Sequence, residues 1–198
     1  MLITGCRIHA ELRQKTRDFH IAVETKLGVL LSDELSLDQY AGALKRFYGF
    51  YKPIESRLGC IPGLNLPELK LVDRIKLPWL VRDLAALSVD SAELANLPCC
   101  DNLPRLETVS EALGCLYVLE GSTLGGKVIT GHVKRVLPLD ERRGCSFFNS
   151  YGDEVGRMWR FFLERLAEHC EDDCDDDVVV HSARQTFASL DRWFSNVA

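Results

Sequence analysis

Residues 106–133 read Leu-Glu-Thr-Val-Ser-Glu-Ala-Leu-Gly-Cys-Leu-Tyr-Val-Leu-Glu-Gly-Ser-Thr-Leu-Gly-Gly-Lys-Val-Ile-Thr-Gly-His-Val. Leu106, Val109, Leu113, Leu116, Tyr117 and Leu119 recur at spacings of three and four, which is the period of an α-helix with one apolar face. The pattern continues past Gly121, Gly125 and Gly126 into Val128, Ile129 and Val133, and stops before Pro138, which cannot extend a helix. The same period fills most of the chain. Leu12, Thr16, Phe19, Val23 and Leu27 predict a first helix that ends at Gly28. Ser36 with Gln39 three residues on predicts a capping box. The helix it opens runs through Tyr40, Leu44, Phe47, Tyr48 and Tyr51 toward Leu58, with a kink at Pro53. Residues 59–78, with Pro62, Pro67 and Pro78, read as short helical pieces joined by turns, followed by a helix from Pro78 through Leu87. Asp153 is the expected cap of a helix reaching Glu168. A last helix covers about 177–195, its acidic start complementing the helix dipole. No run of alternating strands, internal repeat or linker interrupts this, so the expectation is an all-α chain forming a single domain over 1–198.

The chain has 198 residues, 46% of them apolar and 27% charged, a composition suited to a globular domain with a full core. No stretch approaches the ~18 uninterrupted apolar residues of a membrane span. The first ten residues lack the pattern of a signal peptide, so a cytoplasmic protein without membrane association is expected. The net charge of −5 argues against nucleic acid as a partner. Six of the 29 acids lie in Glu171–Asp177, leaving 23 against 24 basic residues elsewhere. The cysteines at 6, 60, 99, 100, 115, 145, 170 and 174 contain no CxxC pair and read as reduced thiols. His169, Cys170, Cys174 and His181 could nominally ligate zinc, but their spacing matches no common zinc module.

Two segments carry chemistry. In Arg13-Gln14-Lys15-Thr16-Arg17-Asp18-Phe19-His20-Ile21-Ala22-Val23-Glu24, His20 sits at the edge of the apolar face, one turn from Thr16 and Glu24. Arg13 and Arg17 precede it by two turns and one turn on the same side. An imidazole could hold an iron while these guanidinium groups meet carboxylates nearby, a combination that heme presents with its iron and two propionates. Glu24 could accept the other ring N–H and hold the tautomer. A lone helical histidine is, however, usually a surface or satisfied core residue. The second segment, Leu119-Glu120-Gly121-Ser122-Thr123-Leu124-Gly125-Gly126-Lys127-Val128, places Gly121 and Gly125 on one helix face. Each glycine costs a helix ~1 kcal/mol relative to alanine and invites a kink. Bare backbone there admits two readings that spacing leaves open: close helix–helix packing, or a flat ligand lying against the helix.

Together these segments resemble the proximal and distal helices of heme oxygenases in order, separation and chain length, and Glu-Gly-Ser-Thr-Leu-Gly-Gly is similar to bacterial members found beside bacteriophytochromes. The resemblance implies an all-α fold with heme sandwiched between a proximal and a kinked distal helix. It implies oxidative cleavage of heme to biliverdin, ferrous iron and carbon monoxide, using O2 and electrons from a ferredoxin or a reductase. His20 would be the iron ligand and Glu24 its partner. Gly121 and Gly125 would crowd the bound oxygen, and Gly126 would contact the heme. Arg13, Arg17 and Arg160 (or Arg157) would serve the propionates, and Tyr48 would order water. Many members have aspartate directly after the first distal glycine, where this chain has Ser122; a hydroxyl can hold water but carries no charge. Arg13, Lys15 and Arg17 could attract an acidic ferredoxin, and a bacteriophytochrome could receive the product. A heme carrier without turnover and a heme-free regulatory or interaction protein of the same fold are the competing readings.

Overall fold

The computed structural model describes residues 7–64, 69–170 and 173–195. Cys6, Pro67, the start of the acidic run at Glu171 and Asp172, and the side chain of Cys174 lie outside the described residues. Seven α-helices form among them: α1 (Arg7–Leu27), α2 (Leu37–Gly59), α3 (Leu77–Ala86), α4 (Ser91–Asn96), α5 (Val109–Val136), α6 (Val155–His169) and α7 (Asp173–Ser195). No β-sheet forms among the described residues, and the all-α expectation holds. No described helix is long and apolar enough to cross a membrane.

Local chemistry accounts for most boundaries. At α2, the Ser36 side chain accepts from the Gln39 amide while Gln39 answers the Ser36 amide, so the predicted capping box is present. Thr108 and Glu111 form a second such box at α5, which the sequence reading did not single out. Gly28 ends α1 by opening a 3-10 turn over Gly28–Leu31. α2 continues through Pro53 to Gly59, and α5 runs unbroken through its glycines. Asp153 is not the cap of α6: that helix grows out of a 3-10 turn over Gly152–Glu154, and Asp153 instead reaches Lys127 at 3.1 Å. The short α4, capped by Asp90, carries no apolar period long enough to announce it.

α7 is the common support. α5 and α1 both pack along it, and both also touch α6, while α2 packs on α3. The closest approach is at Gly114, where a Cβ would overlap the carbonyl oxygen of Val179 and lie 2.8 Å from the Cβ of Ser182. The buried apolar residues form one continuous core. Its aromatic centre joins Phe47 of α2 to Phe147, Phe148 and Phe194 at centroid distances of 4.9–5.5 Å. The 145–150 segment is tied down by the buried Asp83 carboxylate, which accepts from the amides of Ser146 (2.9 Å) and Phe147 (2.7 Å). Tyr40 adds a bond to the carbonyl of Gly144 at 2.8 Å.

These contacts give opposite outcomes for two glycines of one helix. Gly114→Ala should lower stability by about 2 kcal/mol or more, because a backbone carbonyl must yield. Gly131→Ala, with nothing within 4 Å of the added methyl, should raise it by up to ~1 kcal/mol. Denaturant melts of the two variants check both signs.

Candidate functional site

The site is built from α1 and the middle of α5. On α1, the His20 side chain is 53% exposed, and its Nδ1 lies 3.3 Å from Glu24 Oε2. Its ring stands edge-on to Phe187 of α7 at 5.8 Å, which fixes the imidazole plane. Among the described residues no partner engages Nε2, so the carboxylate orients one nitrogen and leaves the other available. Arg13 and Arg17 are exposed and form no ion pair among the described residues, whereas Lys15 is held by Glu11 at 2.6 Å. His9, two turns before Thr16, stands edge-on to Tyr117 (6.2 Å) and Trp159 (5.9 Å). Burial, with help from Arg13, holds its pKa below the usual histidine value.

On α5, Gly121, Leu124, Gly125 and Val128 share one face. A Cβ at Gly121 would meet only Trp159, at 3.7 Å, and one at Gly125 would meet nothing within 4 Å. Leu124 is 44% and Val128 63% exposed. An apolar, side-chain-poor stripe left uncovered in the middle of a long helix departs from the rule that such faces are buried. Gly126 differs: it is buried, and its added Cβ would overlap the Phe148 carbonyl. Both readings of the glycine segment therefore apply, to different residues. Gly126 serves close packing against the 145–150 segment, while Gly121 and Gly125 offer open backbone.

α1 and α5 come together where the Tyr117 hydroxyl lies beside Thr16 and its ring stands edge-on to His9. One turn beyond that contact, α1 carries His20 and α5 carries Gly121. α1 thus carries an imidazole with a free nitrogen and unpaired guanidinium groups, and α5 a bare apolar backbone, each within about two turns of the contact between the two helices. This donor set suits heme: nitrogen for iron, apolar backbone for the macrocycle, cations for carboxylates.

Several expected side chains sit elsewhere. Tyr48 is buried beneath Lys52, whose Nζ lies 5.3 Å from the ring centroid, and no hydrogen bond of its hydroxyl is described. It is Tyr51 that reaches the distal serine, with 3.4 Å between the two hydroxyl oxygens. Ser122 donates to the Leu119 carbonyl at 2.8 Å, which leaves its lone pairs to accept from Tyr51. Burial raises the Tyr51 pKa above the ordinary phenol value, so it remains a donor. Tyr48 and Tyr51 are three residues apart on one face, and periodicity could not tell which would face α5. Arg160 is exposed and donates to Gly156 of its own helix at 3.3 Å, and Arg157 is paired with Glu154. Trp159, between them, is the α6 residue that touches the glycine face. His169 bonds Ser110 at 2.9 Å and His181 bonds Gln185 at 2.8 Å. Among the described residues no group of three side chains could hold a metal ion. Of two surface clefts of about 330 and 320 Å³, the first, lined by Asp18, Phe19, Ala22 and Arg192, lies along α1 beside His20, the second is lined by Arg57 and Leu106, and neither is lined by His20 itself or by the glycines.

Comparison with protein families matches the heme oxygenase model over residues 7–196. No curated protein matches the chain in sequence. Among solved structures, the NO- and CO-bound heme oxygenase from Neisseria meningitidis superposes with a TM-score of 0.77 at 23% identity, covering 96% of this chain and 94% of that one. The heme oxygenase from Leptospira interrogans gives 0.76 at 19% identity, with 96% and 99% covered. Heme oxygenase-1 from the cyanobacterium Synechocystis, in complex with heme, gives 0.70 at 15% identity, with 95% and 90% covered.

The two kinds of glycine separate by experiment. Gly125→Leu should fold with a melting temperature within a few degrees of wild type, since its side chain points into open space. Gly126→Ala should lose about 2 kcal/mol or more against the Phe148 carbonyl. Thermal melts of the heme-free proteins read both.

Proposed function

Because this chain belongs to the heme oxygenase family, we propose that it opens heme to biliverdin, ferrous iron and carbon monoxide, with His20 as the residue that would hold the iron and the Gly121–Gly125 face as the surface that would receive the ring. The observation that carries this reading is the pairing of a half-exposed imidazole, oriented by Glu24, with an uncovered bare helix face one turn beyond the α1–α5 contact. The reading treats the whole chain as one domain, in keeping with its single continuous core.

Heme, once bound, would supply both the iron that activates oxygen and the ring carbon that is attacked. The chain's own groups bind, orient and shield. The Glu24 carboxylate accepts the Nδ1 proton of His20 and keeps Nε2 as the free lone pair. Arg13 and Arg17, unpaired and on the same side as His20, meet the propionates by charge-assisted bonds. Gly121 and Gly125 leave room at the face where any Cβ would intrude, and Leu124, Val128 and Trp159 line it with apolar surface. Ser122, directly after Gly121 and held by the Leu119 carbonyl and by Tyr51, holds a proton at its hydroxyl without adding charge. Arg13 and Arg17 also form the cationic edge at which an acidic ferredoxin or a reductase would deliver electrons. Cytoplasmic residence and a bacteriophytochrome as acceptor of biliverdin complete the proposal, on grounds of composition and of the Glu-Gly-Ser-Thr-Leu-Gly-Gly motif.

Two measurements test this. Aerobic incubation of the hemin complex with a reductant should bleach the Soret band, and chromatography after one turnover should yield biliverdin; an unchanged spectrum would instead identify a carrier. His20→Ala should lose the ligated ferric spectrum and lower turnover at least about 100-fold, with partial recovery on adding imidazole. A wild-type spectrum in that variant would remove His20 from the iron.

A further inference from the structure

Behind the glycine face lies a buried ionic cluster that the reaction as described does not use. Glu120, the residue before Gly121, is 1% exposed. One carboxylate oxygen pairs with Arg74, and the other accepts from Lys76 Nζ at 2.7 Å. The Tyr151 hydroxyl donates to the same carboxylate at 2.9 Å and accepts from Lys76 at 2.5 Å. Each partner belongs to a different part of the fold. Arg74 ends a 3-10 turn and also donates to the carbonyls of Leu69 (2.9 Å) and of Met158 on α6 (3.4 Å). The Lys76 amide begins α3 and donates to Glu55 of α2 at 2.6 Å. Glu55 lies one turn from Tyr51, which touches Ser122. The two acids and two bases are each more than nine-tenths buried and balance in charge.

A glycine-rich stretch has weak helical preference, and its outer face here is exposed at Leu124, Gly125 and Val128, with nothing packed over it at Gly125. Among the described residues, the buried ion pairs of this part of α5 come from behind, at position 120. We propose that Glu120 is a positioning residue, whose bonds to Arg74, Lys76 and Tyr151 set the height and rotation of the Gly121–Gly125 backbone over the heme. This rests on the heme reading for what the backbone faces, but the fixation itself is a property of the heme-free chain.

The test compares wild type with Tyr151→Phe, which removes one hydroxyl from the cluster, and with Glu120→Gln, which removes its charge. Amide hydrogen exchange in the heme-free protein should speed up about fivefold or more at 121–126 in both variants, with amides 112–118, locked against α7, changing less than about twofold. Hemin affinity, set from the His20 side, should stay within about threefold, while turnover falls about tenfold and more than one biliverdin isomer forms where wild type gives one pattern. Glu120→Gln leaves two buried cations against one acid and can prevent folding; Tyr151→Phe then decides alone. Unchanged exchange at 121–126, or faster exchange spread evenly along α5 with the wild-type isomer pattern, overturns the proposal. Failure of wild type to bind hemin would sink the heme reading, whereas the exchange contrast would still judge the fixation.

Discussion

A helix with a face of bare backbone has to be held by its other side. In α5 this constraint is met at two levels. Further toward its N-terminus, Gly114 lets the helix axes of α5 and α7 approach until backbone nearly touches backbone. In the middle, Glu120 ties the helix to α3, α6 and the 71–74 turn through buried charges. The two devices differ in kind. Close packing resists translation but permits some rotation, while a carboxylate gripped by three donors fixes rotation as well. Between them they offset the helical weakness of Gly121, Gly125 and Gly126.

The buried cluster also shows why its members come as a set. Each charge alone would be costly in the interior, and burial does act on them: it lowers the Lys76 pKa and raises that of Glu55. What keeps them together is mutual satisfaction, with backbone amides at the start of α3 completing the coordination of Glu55. Such an arrangement specifies geometry more than it adds stability, and geometry is what the glycine face requires.

Much of this was legible in the sequence. The helical reading located six of the seven helices, all but the short α4, and the Ser36–Gln39 pair fixed the start of α2. His20, Glu24, Gly121 and Gly125 could be placed because helical spacing alone puts each on a definite face. What stayed hidden depended on contacts between elements. Whether Tyr48 or Tyr51 meets Ser122, and whether Gly126 packs or stays open, turns on how α2 and the 145–150 segment dock against α5. Asp153 looked like a cap because acids cap helices, but its carboxylate found Lys127 across the fold. The Glu120 cluster joins residues 44 and 46 positions apart, and no local pattern marks them.

The clamp behind α5 has a consequence for how such a chain can diverge. Glu55, Arg74, Lys76 and Glu120 share one enclosed charge balance, so none of the four can drift to an apolar residue alone without stranding the others. Descendants that lose an acid must lose or redirect a base in the same lineage, and these positions should covary. The exposed arginines of the rim face no such bond, because solvent screens them and a base one turn away can take over. The hidden side of α5 is therefore the more tightly constrained one.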